Sequence, residues 1–289
     1  MKFRTLLVAL GVVAVLAVVA GVVAQQRIEG QVLAQLDESI AQLPAGMNAS
    51  YGAVEVGLFG RRVEVRDMVV SAQEGGTTRI ERLLFTEYDK ANDPPHYLSM
   101  RAEGVSQDLG ELGDDQARML SAMGYDSIRG TYEMAYRYEP ETQVLNLSRL
   151  RGELDEMGGL GLSMTLSEFD LEKSVTGPQS LPAFRVDDFT LSYTDASLMR
   201  RLISQSAAEQ DMSEEAFVQQ MLGELEQQAG DNAFVQASLP EIRRFLMEPG
   251  ELTLTGQPEA PVSAMEFMAT AMMRTHALPE LMNLNLKAD

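Results

Sequence analysis

The run Leu6–Ala24, LLVALGVVAVLAVVAGVVA, constrains this chain more than any other stretch. It holds nineteen residues without a charge. A bilayer core is about 30 Å thick and takes roughly 20 apolar residues at about 1.5 Å each to cross. No other window meets that requirement, so the chain carries one anchor or one export signal. Lys2 and Arg4 precede the run and Arg27 follows it. The excess of positive charge in front predicts a cytoplasmic N-terminus with the body on the far side. The apolar core exceeds the roughly 7–15 residues of a signal peptide, which favours a retained anchor. Val22-Val23-Ala24 offers small residues for cleavage. A cleaved signal and a buried soluble helix therefore stay as alternatives.

Charge narrows the partners. The chain has 43 acidic and 23 basic residues, a formal net charge of -20. Nucleic acid needs clustered Lys and Arg to displace counterions, so it is excluded as a partner. Docking on anionic lipid through a basic patch is disfavoured for the same reason. Solubility is the ordinary reading of such a charge. There is no cysteine, which removes thiolate nucleophiles, cysteine metal sites and disulfides together. The histidines are His96 and His276. The sequons at Asn48 and Asn146 matter only on a eukaryotic secretory route.

After the anchor, Ile28, Val32, Leu36, Ile40 and Leu43 form one apolar stripe at helical spacing. The spacing predicts an amphipathic stalk over 25–44, ended by Pro44, Gly46 and Asn48. Its stripe needs a partner, either the body or another subunit. The period then changes to two. Val54, Val56 and Leu58 pair by pattern with Val63 and Val65 in a hairpin around 59–61. Further strands are expected at 80–88, 98–103, 128–138, 143–154, 160–167, 184–193, 252–255 and 284–286. Asp187-Asp188 shifts the phase of one strand, which predicts a β-bulge. A short helix is expected over 108–125. Three more are expected between 195 and 247, the second capped by Asp211 or Ser213 and the third starting after Pro240. Another is expected over 263–275.

The predicted architecture is mainly β with α, an α+β fold of eight to ten strands. A cytoplasmic N-terminus (1–5) leads into a single transmembrane helix (6–24) and the stalk (25–44). A curved antiparallel β domain (45–194) and a helical block with returning strands packed on the sheet (195–289) follow. Strict alternation buries one face of each strand, and a long one-faced sheet must cover that face with helices, curl on itself or bind something there.

No nucleophile–base pair, Walker loop, EF-hand or dinucleotide fingerprint is present, so no catalytic residue, cofactor site or metal site is nominated and a non-enzymatic role is expected. Adjacent acids at Asp114-Asp115, Asp187-Asp188 and Glu214-Glu215 point apart and make no carboxylate dyad. His96 follows Pro94-Pro95 in a loop, where an exposed, idle side chain is expected. Met265, Met268 and Met272 share a helix face, with Met273 and His276 beside them. Core packing is the first reading of that face, an adaptable lipid or partner surface the second, and a soft Cu(I) site the third. Tyr132, Met134 and Tyr136, with Met164, are expected to face the core or to line an apolar groove.

Val65-Arg66-Asp67-Met68-Val69-Val70-Ser71 echoes Val186-Asp187-Asp188-Phe189-Thr190-Leu191-Ser192. Duplication and a shared strand grammar both explain it. The anchor followed by Tyr51-Gly52-Ala53-Val54-Glu55-Val56 and by Leu58 to Val70 resembles the entry into AsmA-like and YdgA-like envelope proteins of Gram-negative bacteria. Ser192-Tyr193-Thr194-Asp195-Ala196-Ser197-Leu198, Pro249 to Leu254 and Pro258 to Val262 resemble the C-terminal part of YdgA-like proteins. The resemblance implies an inner-membrane-anchored periplasmic protein of envelope homeostasis, with a lipid ligand in an apolar groove. The alternative is a scaffold or assembly subunit that binds an envelope protein partner through Ile28, Val32, Leu36, Ile40 and the helical block.

Overall fold

The computed structural model describes residues 46–289, apart from 58–61, 73–75, 93, 113, 173–183 and 231, together with Asp37 and Ile40. The predicted anchor, and the stalk residues Ile28, Val32 and Leu36, lie outside the described residues. Among the described residues no helix is long and apolar enough to cross a membrane. The fold is mainly β, with antiparallel strands and helices concentrated in the C-terminal part. The chain divides into two compact units, Met1–Arg137 and Tyr138–Asp289. The division falls inside the stretch read as one β domain, because its later strands pair with elements near the C-terminus.

In the first unit the strands are β1 (Met47–Ser50), β2 (Ala53–Val56), β3 (Val63–Ala72), β4 (Gly76–Tyr88), β5 (Tyr97–Asp108) and β6 (Ser127–Glu139), whose last two residues belong to the second unit. Neighbours run β3-β4-β5-β6, and β1 and β2 both lie on the free side of β3. The segment expected as one helix over 108–125 is instead the end of β5, a 3-10 turn at Leu109–Glu111 and α1 (Asp114–Ala122). Gly110 costs helix stability, and the alternation of Val105 with its neighbours carries the strand on to Asp108.

Register turns the alternation into rows. Val54, Val65, Leu83, Ala102 and Tyr132 are successive cross-strand neighbours. So are Val56, Val63, Phe85, Met100 and Met134. Val63, Val65, Met68, Leu83, Phe85 and Ala102 are completely buried. Burying each large apolar side chain contributes about 1.5–3 kcal/mol. Ile40 of the stalk packs against this core.

The opposite face is an ion-pair lattice that periodicity does not reveal. Glu55 and Glu64 sit directly opposite each other, an arrangement that repels. Arg66 bridges them, with Nε 2.8 Å from Glu64 and Nη2 3.1 Å from Glu55. Arg62 and Arg82 also approach Glu64, at 2.9 and 3.1 Å. The chain of contacts continues through Arg82–Glu103, Arg101–Glu103 and Arg101–Glu133. Gly104 bulges β5 at φ +61°, where a Cβ would lie 2.5 Å from the Glu81 carboxylate. Across that gap Arg129 donates two hydrogen bonds to Glu81, at 2.7 and 2.8 Å.

The second unit has β7 (Val144–Leu154), β8 (Gly158–Ser167), β9 (Arg185–Asp195), β10 (Glu251–Gly256), β11 (Val262–Ser263) and β12 (Leu284–Ala288). Neighbours run β7-β8-β9-β10-β12, and β11 also pairs with β9. Between β9 and β10 lie α2 (Leu198–Glu209), α3 (Glu214–Ala229) and α4 (Ala233–Met247). Ser213 caps α3 by accepting from the Ala216 amide, while Asp211 takes a positive φ just before it. The third helix begins earlier than its proline suggested. Asn232 caps α4, which runs through Pro240. Ile203, Val218 and Leu222 join these helices in a small core of their own. Two short helices, α5 (Ala264–Met273) and α6 (Leu278–Leu281), connect β11 to β12. The predicted bulge is present, as Thr165 pairs with Asp188 and the next residue, Leu166, with Val186.

Twelve strands are described where ten segments alternate, and the extra two are halves of broken partners. β2 pairs with β3 up to Arg66 and β1 from Val69, leaving Asp67, at φ +54°, opposite the break. β11 pairs with β9 up to Val186 and β10 from Phe189, leaving Asp187-Asp188 opposite theirs. Each copy of the echoed motif thus sits where a neighbouring strand breaks. The broken strand precedes β3 in the chain but follows β9, which favours shared strand grammar over tandem duplication.

Candidate functional site

The second unit carries rows of leucines. Leu150, Leu162, Leu191, Leu254 and Leu286 are cross-strand neighbours on β7, β8, β9, β10 and β12. Beside them run Leu147, Met164, Phe189, Gly256 and Leu284, and on the other side Gly152, Leu160, Tyr193, Leu252 and Ala288. In β7 a bulge between Leu147 and Leu150 restores the phase, so both leucines face the same way. With strands about 4.8 Å apart, five leucines in register span about 19 Å. The reverse face holds Gly161, Ser163, Thr165, Thr190, Ser192, Thr253 and Thr255, so the sheet is apolar on one side and hydroxyl-rich on the other.

Helix α4 covers one end of the leucine face. Phe245 meets Tyr193 edge-to-face, with ring centroids 5.8 Å apart. Arg244 donates to the Ala288 carbonyl at 2.9 Å, and Glu241 accepts the Ala288 amide at 2.9 Å. These contacts also occupy backbone groups of β12, a strand that would otherwise offer them to another chain. Away from α4 the face is open: Leu150 is 44%, Leu160 57% and Leu191 40% exposed. Water is a poor solvent for such a row, and burial recovers about 25 cal/mol for each Å² of apolar surface.

The candidate groove residues part company. Tyr132, Met134 and Tyr136 lie in the first unit and Met164 in the second. Met134 and Tyr136 pack on the core of the first unit. Tyr136 donates its hydroxyl to the Pro95 carbonyl at 2.9 Å. Burial, helped by the negative charge of Asp89, pushes its phenol up to about 12. Tyr132 ends its row exposed. Met164 packs against the cluster of Tyr138, Leu166, Phe169 and Leu171 and also belongs to a leucine-face row. The open leucines were visible as strand alternation, but their exposure depends on how far α4 reaches.

Two other expectations change. The methionine face of α5 is not core: Met265, Met268, Met272 and Met273 are all exposed. Helical spacing places side chains on one face without stating what that face meets. His96 is half-buried rather than idle, in a loop organised by Asp89. The Asp89 carboxylate accepts from the Ala91 amide, the Asn92 side chain and the His96 amide. Burial raises its pKa, but these hydrogen bonds outweigh burial and hold it below the usual aspartate range. Glu64 behaves alike. Burial pushes it up, while hydrogen bonds from Arg66 and Arg62 and the charge of Arg82 bring it below the ordinary glutamate range.

Asp89 and Glu64 therefore carry structural loads. Among the described residues no group of three or more His, Cys, Asp and Glu is placed to hold a metal ion. The leucine face has no acid or base in its rows, and its one phenol, Tyr193, donates its hydroxyl to Asp195 at 2.7 Å, so its chemistry is the burial of an apolar moiety. No curated protein matches the chain. A family model, described as an uncharacterized protein, matches residues 151–289, which lie wholly in the second unit and hold most of the leucine rows.

Proposed function

We propose that the chain is a non-enzymatic periplasmic protein, tethered to a bacterial inner membrane, that holds an acyl chain on the leucine face of its second unit. The observation that carries this reading is the in-register leucine row with Leu150, Leu160 and Leu191 open to solvent. The apolar run 6–24 and the AsmA-like and YdgA-like resemblance supply the membrane and the envelope. In the scaffold alternative the stalk stripe docks on a partner. Ile40 packs instead on the core of its own chain, which favours the lipid reading.

Native mass spectrometry with lipid extraction tests this on the full chain against Leu150→Asp/Leu160→Asp/Leu191→Asp. Both proteins keep the apolar run, so lipid held there is common to them. Stoichiometric phospholipid or lipopolysaccharide on the parent, lost in a variant with an unchanged circular dichroism spectrum, supports the reading. Equal lipid on both contradicts it, and crosslinking through the stalk to a protein partner then becomes the next step.

A further inference from the structure

Helix α5 presents Met265 at 73%, Met268 at 42%, and Met272 and Met273 at 81% exposure. Ser263 caps the helix by accepting from the Glu266 amide, and Thr270 is its buried residue. Met119 and Met247 are exposed singly on α1 and α4, at 47% and 48%, whereas Met68, Met100, Met123, Met157 and Met282 are all buried. The chain has no cysteine, so methionine thioethers are its only sulfur. Exposure decides which of them an oxidant in solution reaches, and the sulfoxide is polar where the thioether is apolar. In a packed core that change breaks contacts, whereas on α5 the new S=O group points into water.

We propose that α5, with four exposed methionines on one short helix, is the main oxidation site of this protein, a surface where a hydroperoxide converts methionine to methionine sulfoxide while the core sulfurs stay reduced. A lone pair on Sδ attacks one peroxide oxygen, the S–O bond forms and the O–O bond breaks. The sulfur loses two electrons, and the leaving oxygen takes a proton and departs as water or an alcohol. Sulfoxide reductases reverse the change, so the site is a reversible one. Oxidation turns an apolar helix face polar and leaves the sheets untouched.

The test exposes the full chain to graded hydrogen peroxide and follows peptide masses together with the thermal midpoint. The α5 peptide gains one oxygen per methionine before the peptides carrying Met68, Met100 and Met282 gain any. The midpoint holds while α5 saturates. Core methionines oxidising in step with α5, or a midpoint that falls as α5 saturates, overturns the proposal. In Met265→Leu/Met268→Leu/Met272→Leu/Met273→Leu the early oxygen uptake falls to what the exposed Met119 and Met247 take up. If the variant takes up as much oxygen at low dose as the parent, the proposal is equally overturned.

Discussion

The two units use the same strand alternation to opposite ends. In the first, the apolar rows from Val54 to Ala102 are sealed, and the polar face is tied by arginine–carboxylate pairs. In the second, the rows through Leu162 and Leu191 are closed at the α4 end and open at the other. Alternation therefore specifies that a face is apolar, and packing decides whether it is a sealed core or an open face. In the proposed reading the first unit is a structural body and the second a recognition surface.

The sharpest way to break this contrast is to truncate matched positions. Phe85→Ala empties a fully buried site and should cost about 3–5 kcal/mol in denaturant unfolding. A loss under about 1 kcal/mol would mean that the first sheet is not the sealed core described. Gly104→Ala forces a Cβ into a positive-φ bulge against Glu81, and about 1–3 kcal/mol should be lost. The Arg129–Glu81 pair should loosen with it, which a double-mutant cycle with Glu81→Gln would register as coupling.

Glu64→Gln comes next, at about 1 kcal/mol after solvent screening of its half-exposed arginine partners. The sign with pH follows from its lowered pKa. The carboxylate contributes stability above the ordinary glutamate range and loses it as pH falls through the folded-state value. An acid-unfolding curve should therefore be shallower in Glu64→Gln, and an unchanged curve would remove Glu64 from the account. Leu160→Gln, on the open face, should shift stability by no more than about 0.5 kcal/mol. A larger loss would show that the leucine face is packed in solution.

Much of the fold was legible because period-two alternation survives in single sequences. The strands from Ile80, Leu98, Ile128 and Leu160, the bulge at Asp187-Asp188 and the cap at Ser213 all follow from local residue patterns. The ion-pair lattice was not legible, since Glu64 meets Arg82 and Arg101 meets Glu133 only once register is set. The bulges at Gly104 and between Leu147 and Leu150 were hidden for the same reason. The methionines of α5 misled because a stripe reports a shared face and not a buried one. The candidate site was half legible. Met164 lies in its rows, while Met134 and Tyr136, chosen by the same alternation, pack half-buried against the core of the first unit.

Photoaffinity labelling tests the central claim most directly. A fatty acid carrying a diazirine near its methyl end, irradiated with the full chain and mapped by peptide sequencing, should mark the strands that hold Leu150, Leu160, Leu162 and Leu191. It should spare the rows of Val63, Leu83 and Phe85. Labelling of the sealed rows, or none on the leucine strands, would contradict the division of labour between the two units.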